Sequence, residues 1–274
     1  MRMGLSVKGL FLFLMLFVLS GCLEGEPRRL LLTDAAVEVK PAPEIHGASR
    51  EMAPHSGAVR ISGGARFSGD DREYAGRLEN DYPGTDHRYA PLFYDIVSGY
   101  WYGALHVVSK GELYTWGFSV GYDNALYVAG SAGINTEHFD AGVTLSLGWQ
   151  IANQQYRNGF VEGEEDYNYQ TDFIHFASNL IAPGIYASVY EGRLSLTYSG
   201  SVYWPENVFN DDKYTLDPYV KTKGSFLPTA VFTHHLSVGY IFDKGIGIRL
   251  GVTNIMGDFN GFHWSGFGGV ELNL

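Results

Sequence analysis

Cysteine occurs once in 274 residues, at position 22. A lone thiol has no intramolecular disulfide partner and no companion cysteines for a metal site. Charge is scarce too, 18% of residues where a quarter is usual. Acids outnumber bases 30 to 19, a formal net charge of −11. An acidic chain repels phosphates, which removes nucleic acid from the expected partners. There is no Cys/His metal spacing, no nucleophile elbow and no helical repeat, so no cofactor is implied. Ser62-Gly63-Gly64 is followed by more strand pattern, not by the helix N-terminus that a phosphate loop requires. What the chain has in quantity is glycine, 35 residues, and aromatic side chains, 15%, with 19 Tyr and 17 Phe. That mix is poor for helices and suits many strands, with glycine where they bend or crowd.

The amino terminus carries Arg2 and Lys8 and no acid, then an apolar run from Gly9 to Ser20. A basic start before an apolar run of about 7–15 residues is a secretory signal. The run is too short for a spanning helix, which needs about 20 residues. It ends Leu19-Ser20-Gly21-Cys22, which resembles the lipobox of bacterial lipoproteins. The resemblance implies removal of residues 1–21, diacylglycerol on the Cys22 thiol and Cys22 as the new amino terminus. Leu23 in place of Asp implies sorting to the outer membrane of a Gram-negative-type cell envelope. Residues 22–56, with Pro27, Pro41, Pro43 and Pro54 and no sustained period, read as an extended, flexible tether.

From Gly57 to Leu274 the period is two. Tyr114, Trp116, Phe118, Val120 and Tyr122 share one face; Thr115, Gly117, Ser119 and Gly121 share the other. The split recurs around Val143–Trp149, Leu194–Val202 and Ile246–Val252. The polar face carries Ser, Thr and Gly with few Lys or Glu. Alternating segments of about ten residues separated by turns are the signature of a transmembrane β-barrel, its large apolar side chains outward. Ten strands are expected: 57–69, 93–108, 112–122, 125–134, 140–153, 169–190, 193–204, 230–242, 246–255 and 263–273, within a range of eight to twelve. The sixth should bend near Ala182-Pro183-Gly184. Gaps after even-numbered strands are short and the long ones follow odd-numbered strands, with Asp123-Asn124 the exception. That asymmetry matches short turns inside the envelope and long loops outside, with both barrel ends and the tether on the inner side. The fold class is all-β, an antiparallel up-and-down barrel. The chain alternates to its last residue but closes on Leu274, where many such barrels end in an aromatic residue.

Three groups of residues are candidates for chemistry. His235 and Ser237 share the inward face, where a histidine beside a serine activates the hydroxyl. A similar His-x-Ser pair occurs in outer-membrane phospholipase and lipid A deacylase barrels, which place Asn after the serine where this chain has Val238. Arg60, Arg66, Arg193 and Arg249 share the parity of the polar face and form a lumen basic cluster. They either attract an anion or pair with Glu271 as a plug, and a narrow barrel favours the plug. Asp70–Glu73, Glu162–Asp166 and Asp211-Asp212 place carboxylates in loops without calcium-loop spacing. The function expected first is a lipid-anchored, non-enzymatic envelope barrel with lipid as its partner. The alternatives are a barrel hydrolase acting on envelope lipids and a tethered, lipocalin-like binder whose apolar face lines a cavity.

Overall fold

A computed structural model describes residues 30–45, 47, 52–67, 71–80, 89–96, 99–160, 169–207, 222–223, 227–242, 245–257 and 263–274. Its strands, in chain order, are β1 (Leu30–Val39), β2 (Ser56–Phe67), β3 (Asp71–Asn80), β4 (Tyr89–Ile96), β5 (Tyr100–Lys110), β6 (Tyr114–Asp123), β7 (Ala125–Asn135), β8 (Phe139–Phe160), β9 (Tyr169–Glu191), β10 (Leu194–Tyr203), β11 (Glu206–Asn207), β12 (Thr222–Lys223), β13 (Val231–Ile241), β14 (Ile246–Gly257) and β15 (His263–Asn273). Ten of them close a barrel in the order β2-β5-β6-β7-β8-β9-β10-β13-β14-β15, and β15 returns to β2 with Asn273 opposite Arg60. Every neighbouring pair in that ring is antiparallel. Closure leaves the ring without an unpaired edge.

The alternation in the sequence becomes two surfaces. Along β6, Tyr114, Trp116, Phe118, Val120 and Tyr122 are exposed, while Thr115, Ser119 and Asp123 are buried. Along β13, Phe232, Leu236 and Val238 point out and Thr233, His235 and Ser237 point in. The lipocalin-like arrangement, with an apolar lining, is therefore not the one adopted. All five tryptophans stand on the outer face, Trp101, Trp116, Trp149, Trp204 and Trp264, each at least 49% exposed. Four of them lie at the long-loop rim; Trp116 lies near the other rim with Tyr114, Phe139 and Phe242. Between the rims the outer face is mainly aliphatic, as at Val128, Leu145, Ile185, Leu196, Val238 and Leu250.

β9 is a single strand through Pro183, which sits where β10 stops pairing, at Ser201 opposite Gly184. The second barrel strand begins at Tyr100 rather than 93, because 89–96 forms β4. β4 pairs antiparallel with β3, so the expected loop 70–92 contains a hairpin. The expected tether is also corrected: β1 pairs antiparallel with the far half of β8, Leu30 opposite Phe160, and parallel with β4, Ala35 opposite Leu92. Above Gln150, β1 takes the edge of β8 that β7 holds below it. Leu32, Ala35, Val37 and Val39 are buried there against Leu78, Ala90, Leu92 and Ile96. Their burial, at about 25 cal/mol per Å² of apolar surface, is what turns a proline-flanked segment into a strand.

Candidate functional site: a polar lumen filled by the amino-terminal segment

After Val39 the chain turns down into the barrel. At the rim, Lys40 Nζ donates to the Ile151 carbonyl at 2.6 Å and the Tyr203 hydroxyl donates to the Lys40 carbonyl. Deeper, the Ala42 amide donates to Thr233 Oγ1 at 3.0 Å and the Glu44 amide donates to Asp123 Oδ2 at 3.1 Å. A Cβ on Gly47 would clash with Asp140 Oδ2 and lie 2.6 Å from the Tyr186 hydroxyl. Met52 then packs with Ala58 and Val108 at the short-turn end, where β2 starts upward. The described residues of the segment thus step from the long-loop rim at Lys40 to the opposite end at Met52, and barrel side chains accept from the buried amides of Ala42 and Glu44.

Charged groups converge on it. Arg66 forms a bidentate pair with Asp123, at 3.1 and 2.9 Å, and also donates to Thr253 Oγ1. Its guanidinium carbon lies 4.9 Å from the centre of the Phe267 ring. Glu44 Oε1 accepts from Ser237 Oγ at 3.2 Å and from Arg249 at 3.3 Å. Arg249 also pairs with Glu271 at 2.8 Å, and Glu271 lies 3.8 Å from Arg60. His106 bridges Ser62 and Ser119, at 2.9 and 2.8 Å. Asp140 accepts from Thr115 and Tyr186, at 2.8 and 2.9 Å. Opposite charges in direct contact offset the desolvation each would otherwise carry. A cavity of about 20 Å³ remains beside Glu44, His106, Asp123, Arg249 and Glu271, room for roughly one water.

Three of the four expected lumen arginines are there: Arg60, Arg66 and Arg249. Arg193 is not. It occupies the Gly192-Arg193 turn between β9 and β10 and is exposed, because strand parity no longer dictates direction once the chain turns. His235 and Ser237 both face the lumen, but each is engaged elsewhere. Ser237 donates to Glu44. The His235 ring donates from Nε2 to the Ala42 carbonyl at 3.2 Å, and Nδ1 lies 2.8 Å from Thr253 Oγ1. Of the acidic stretches, Asp71 and Glu73 lie 3.2 and 3.9 Å from His263, and Arg72 pairs with Asp95 at 2.6 Å. Hydrogen bonding by Asp95 raises the Arg72 guanidinium above its ordinary range. Asp70, Glu162–Asp166, Asp211-Asp212 and Cys22 lie outside the described residues. Among the described residues no group of three or more His, Cys, Asp or Glu is placed to hold a metal ion.

Four residues of the lumen were not singled out from the sequence: Glu44, His106, Asp123 and Asp140. Asp123 shares the inward parity of Thr115 and Ser119, and the one short turn at the long-loop end is its mark. Asn124 there has φ 59°, a left-handed conformation that asparagine tolerates, so the hairpin closes tightly and Asp123 points in. Glu44 had no such mark. The tight passage at Gly47 gives a first prediction. Gly47→Val forces the segment off Asp140 and Tyr186, at a cost of about 1–3 kcal/mol, read as an earlier urea midpoint in detergent and faster proteolysis within residues 40–52. No known protein family matches the chain, and no curated protein matches it.

Proposed function

We propose that this chain is an outer-membrane lipoprotein whose barrel spans the bilayer, closed by its own amino-terminal segment, with a non-enzymatic role at the envelope surface. The observation that carries this reading is the outer face: an aliphatic middle with tryptophans and other aromatics at the two rims, around a polar, ion-paired interior. A soluble barrel exposing so much apolar surface would associate or precipitate. In lipid the same surface is the matched one, and aromatic girdles belong at the interfaces. In the lipoprotein step the Cys22 sulfur attacks the glycerol carbon of a phospholipid. A C–S bond forms, the headgroup phosphate leaves, and the thiol proton goes with it. Water then hydrolyses the Gly21–Cys22 peptide bond.

The filled lumen argues against a standing passage, and the occupied His235 and Ser237 argue against a nucleophile poised for attack. What the barrel offers its surroundings is the structure beyond the long-loop rim: the far halves of β8 and β9, the sheet of β1, β4, β3 and β12, and β11 on β9. The test is a Cys22→Ala form with an ordinary secretory cleavage site, extracted from outer membranes with carbonate and run on a gel with and without boiling. The reading predicts retention in the membrane and a mobility shift on heating. Release as a soluble protein of unshifted mobility overturns it.

A further inference from the structure

The proposed lipid anchor and the barrel's own termini would ordinarily be placed on one side of the membrane. The fold separates them. Ser56 and Asn273, the ends of the closed ring, are at the short-turn end. Leu30 is opposite Phe160, ten residues beyond Gln150, the last residue of β8 paired with β7 at the long-loop rim. Ten residues of strand run about 33 Å. Between Leu30 and Cys22 lie eight Cα steps, which reach at most about 26–29 Å when fully extended. Tilted by about 35–45°, as the strands of such barrels are, that run of strand stands roughly 23–27 Å above the rim, which the eight steps just span. They cannot also cross the apolar band of about 25 Å to the other leaflet.

From this geometry we infer that the lipid on Cys22 sits in the leaflet at the long-loop face, the outer surface of the cell, and that the chain enters the barrel from outside. The inference rests on the lipoprotein-barrel reading and deepens it by assigning the anchor its leaflet. Two independent features carry it. One is the register of β1 on β8 and β4, which places the amino-terminal end of the described chain far above the rim. The other is the order of contacts made by Lys40, Ala42, Glu44 and Gly47 from that rim downward. If the lipid were in the inner leaflet, β1 would have to leave its sheet and residues 40–47 would have to abandon the lumen. The consequence is a leash: Ala42, Glu44 and Gly47, between the lipid and β2, lie inside the ring, so the anchor is held at the surface by both its acyl chains and the closed wall around Glu44.

The test uses the full-length protein in intact cells with single thiols introduced at three places: Glu26→Cys beside the anchor, Glu79→Cys on β3 above the rim, and Glu112→Cys on an exposed short turn. Each strain is treated with a membrane-impermeant maleimide before and after permeabilisation, and alkyne-tagged palmitate is fed in parallel to the parent and to Cys22→Ala. The inference predicts labelling of Glu26→Cys and Glu79→Cys in intact cells and of Glu112→Cys only after permeabilisation, with palmitate incorporation lost in Cys22→Ala. Labelling of Glu79→Cys but not Glu26→Cys in intact cells overturns the inference and leaves the spanning barrel standing. The absence of any sidedness among the three sites overturns the spanning barrel, and the inference falls with it. No incorporation of palmitate in the parent overturns the assignment of a lipid to that end.

Discussion

A chain lacking residues 23–52, with Cys22 joined directly to Ala53, is expected to conduct ions across a planar bilayer, whereas the intact chain is silent. The deletion removes β1 and the segment that fills the lumen but leaves all ten ring strands and their ladders. An extended peptide occupies roughly the cross-section that hydrated small ions need, and side chains alone fill barrels of about eight strands more completely than barrels of ten. The sign of selectivity follows from what remains. Among the described residues, the buried ring cations are Arg60, Arg66, Lys110 and Arg249, and the buried ring anions are Asp123, Asp140 and Glu271. Four against three leaves one net positive charge, which Glu44 balances in the intact chain. The open form is therefore weakly anion-selective, read as the reversal potential in a chloride gradient. Glu44→Lys moves the same way without a deletion, by setting two cations against each other at Arg249. A silent 23–52 deletion that still shows a heat-shifted band would mean the ring collapses or fills by other means.

Arg66→Met destabilises the barrel by about 3–5 kcal/mol, because it strands the Asp123 carboxylate with its strongest partner gone. The loss is larger than packing alone predicts, since the guanidinium also donates to Thr253 and lies over the Phe267 ring. Unfolding in urea and detergent, followed by the heat-shifted band, measures it. Arg66→Met combined with Asp123→Leu recovers about 2 kcal/mol or more, because removing both charges also removes their desolvation. If the double variant is as unstable as the sum of the single ones, the pair is not a coupled unit.

These effects depend on features of unequal visibility in the sequence. The ring was legible: lipid-side and lumen-side residues differ so sharply in size and polarity that period two survives in nearly every strand, and β2, β6, β7, β10, β13, β14 and β15 begin and end within a few residues of expectation. The strand number followed from the count of alternating segments, and the alternation of short and long gaps agreed with it. The amino-terminal segment was not legible, because nothing in Leu30–Gly47 names its partners. β1 pairs with residues of β8 more than 110 positions away, and Glu44 meets Arg249 across 205 positions. Parity served Arg60, Arg66 and Arg249 and misled at Arg193, one residue before its strand begins. Residues 70–92 read as loop because β3 holds Arg72, Glu73, Arg77 and Glu79 on a strand whose apolar residues, Tyr74 and Leu78, are few.

Tryptophan fluorescence tests the orientation of the wall most directly, because every tryptophan of the chain is on its outer face and none is in the lumen. The native protein, placed in vesicles of acyl-brominated phospholipid, should show blue-shifted emission, strong quenching by the bromines and weak quenching by aqueous iodide. Red-shifted emission quenched by iodide and indifferent to brominated lipid would put the apolar face in water or against protein, and would contradict a membrane-spanning barrel.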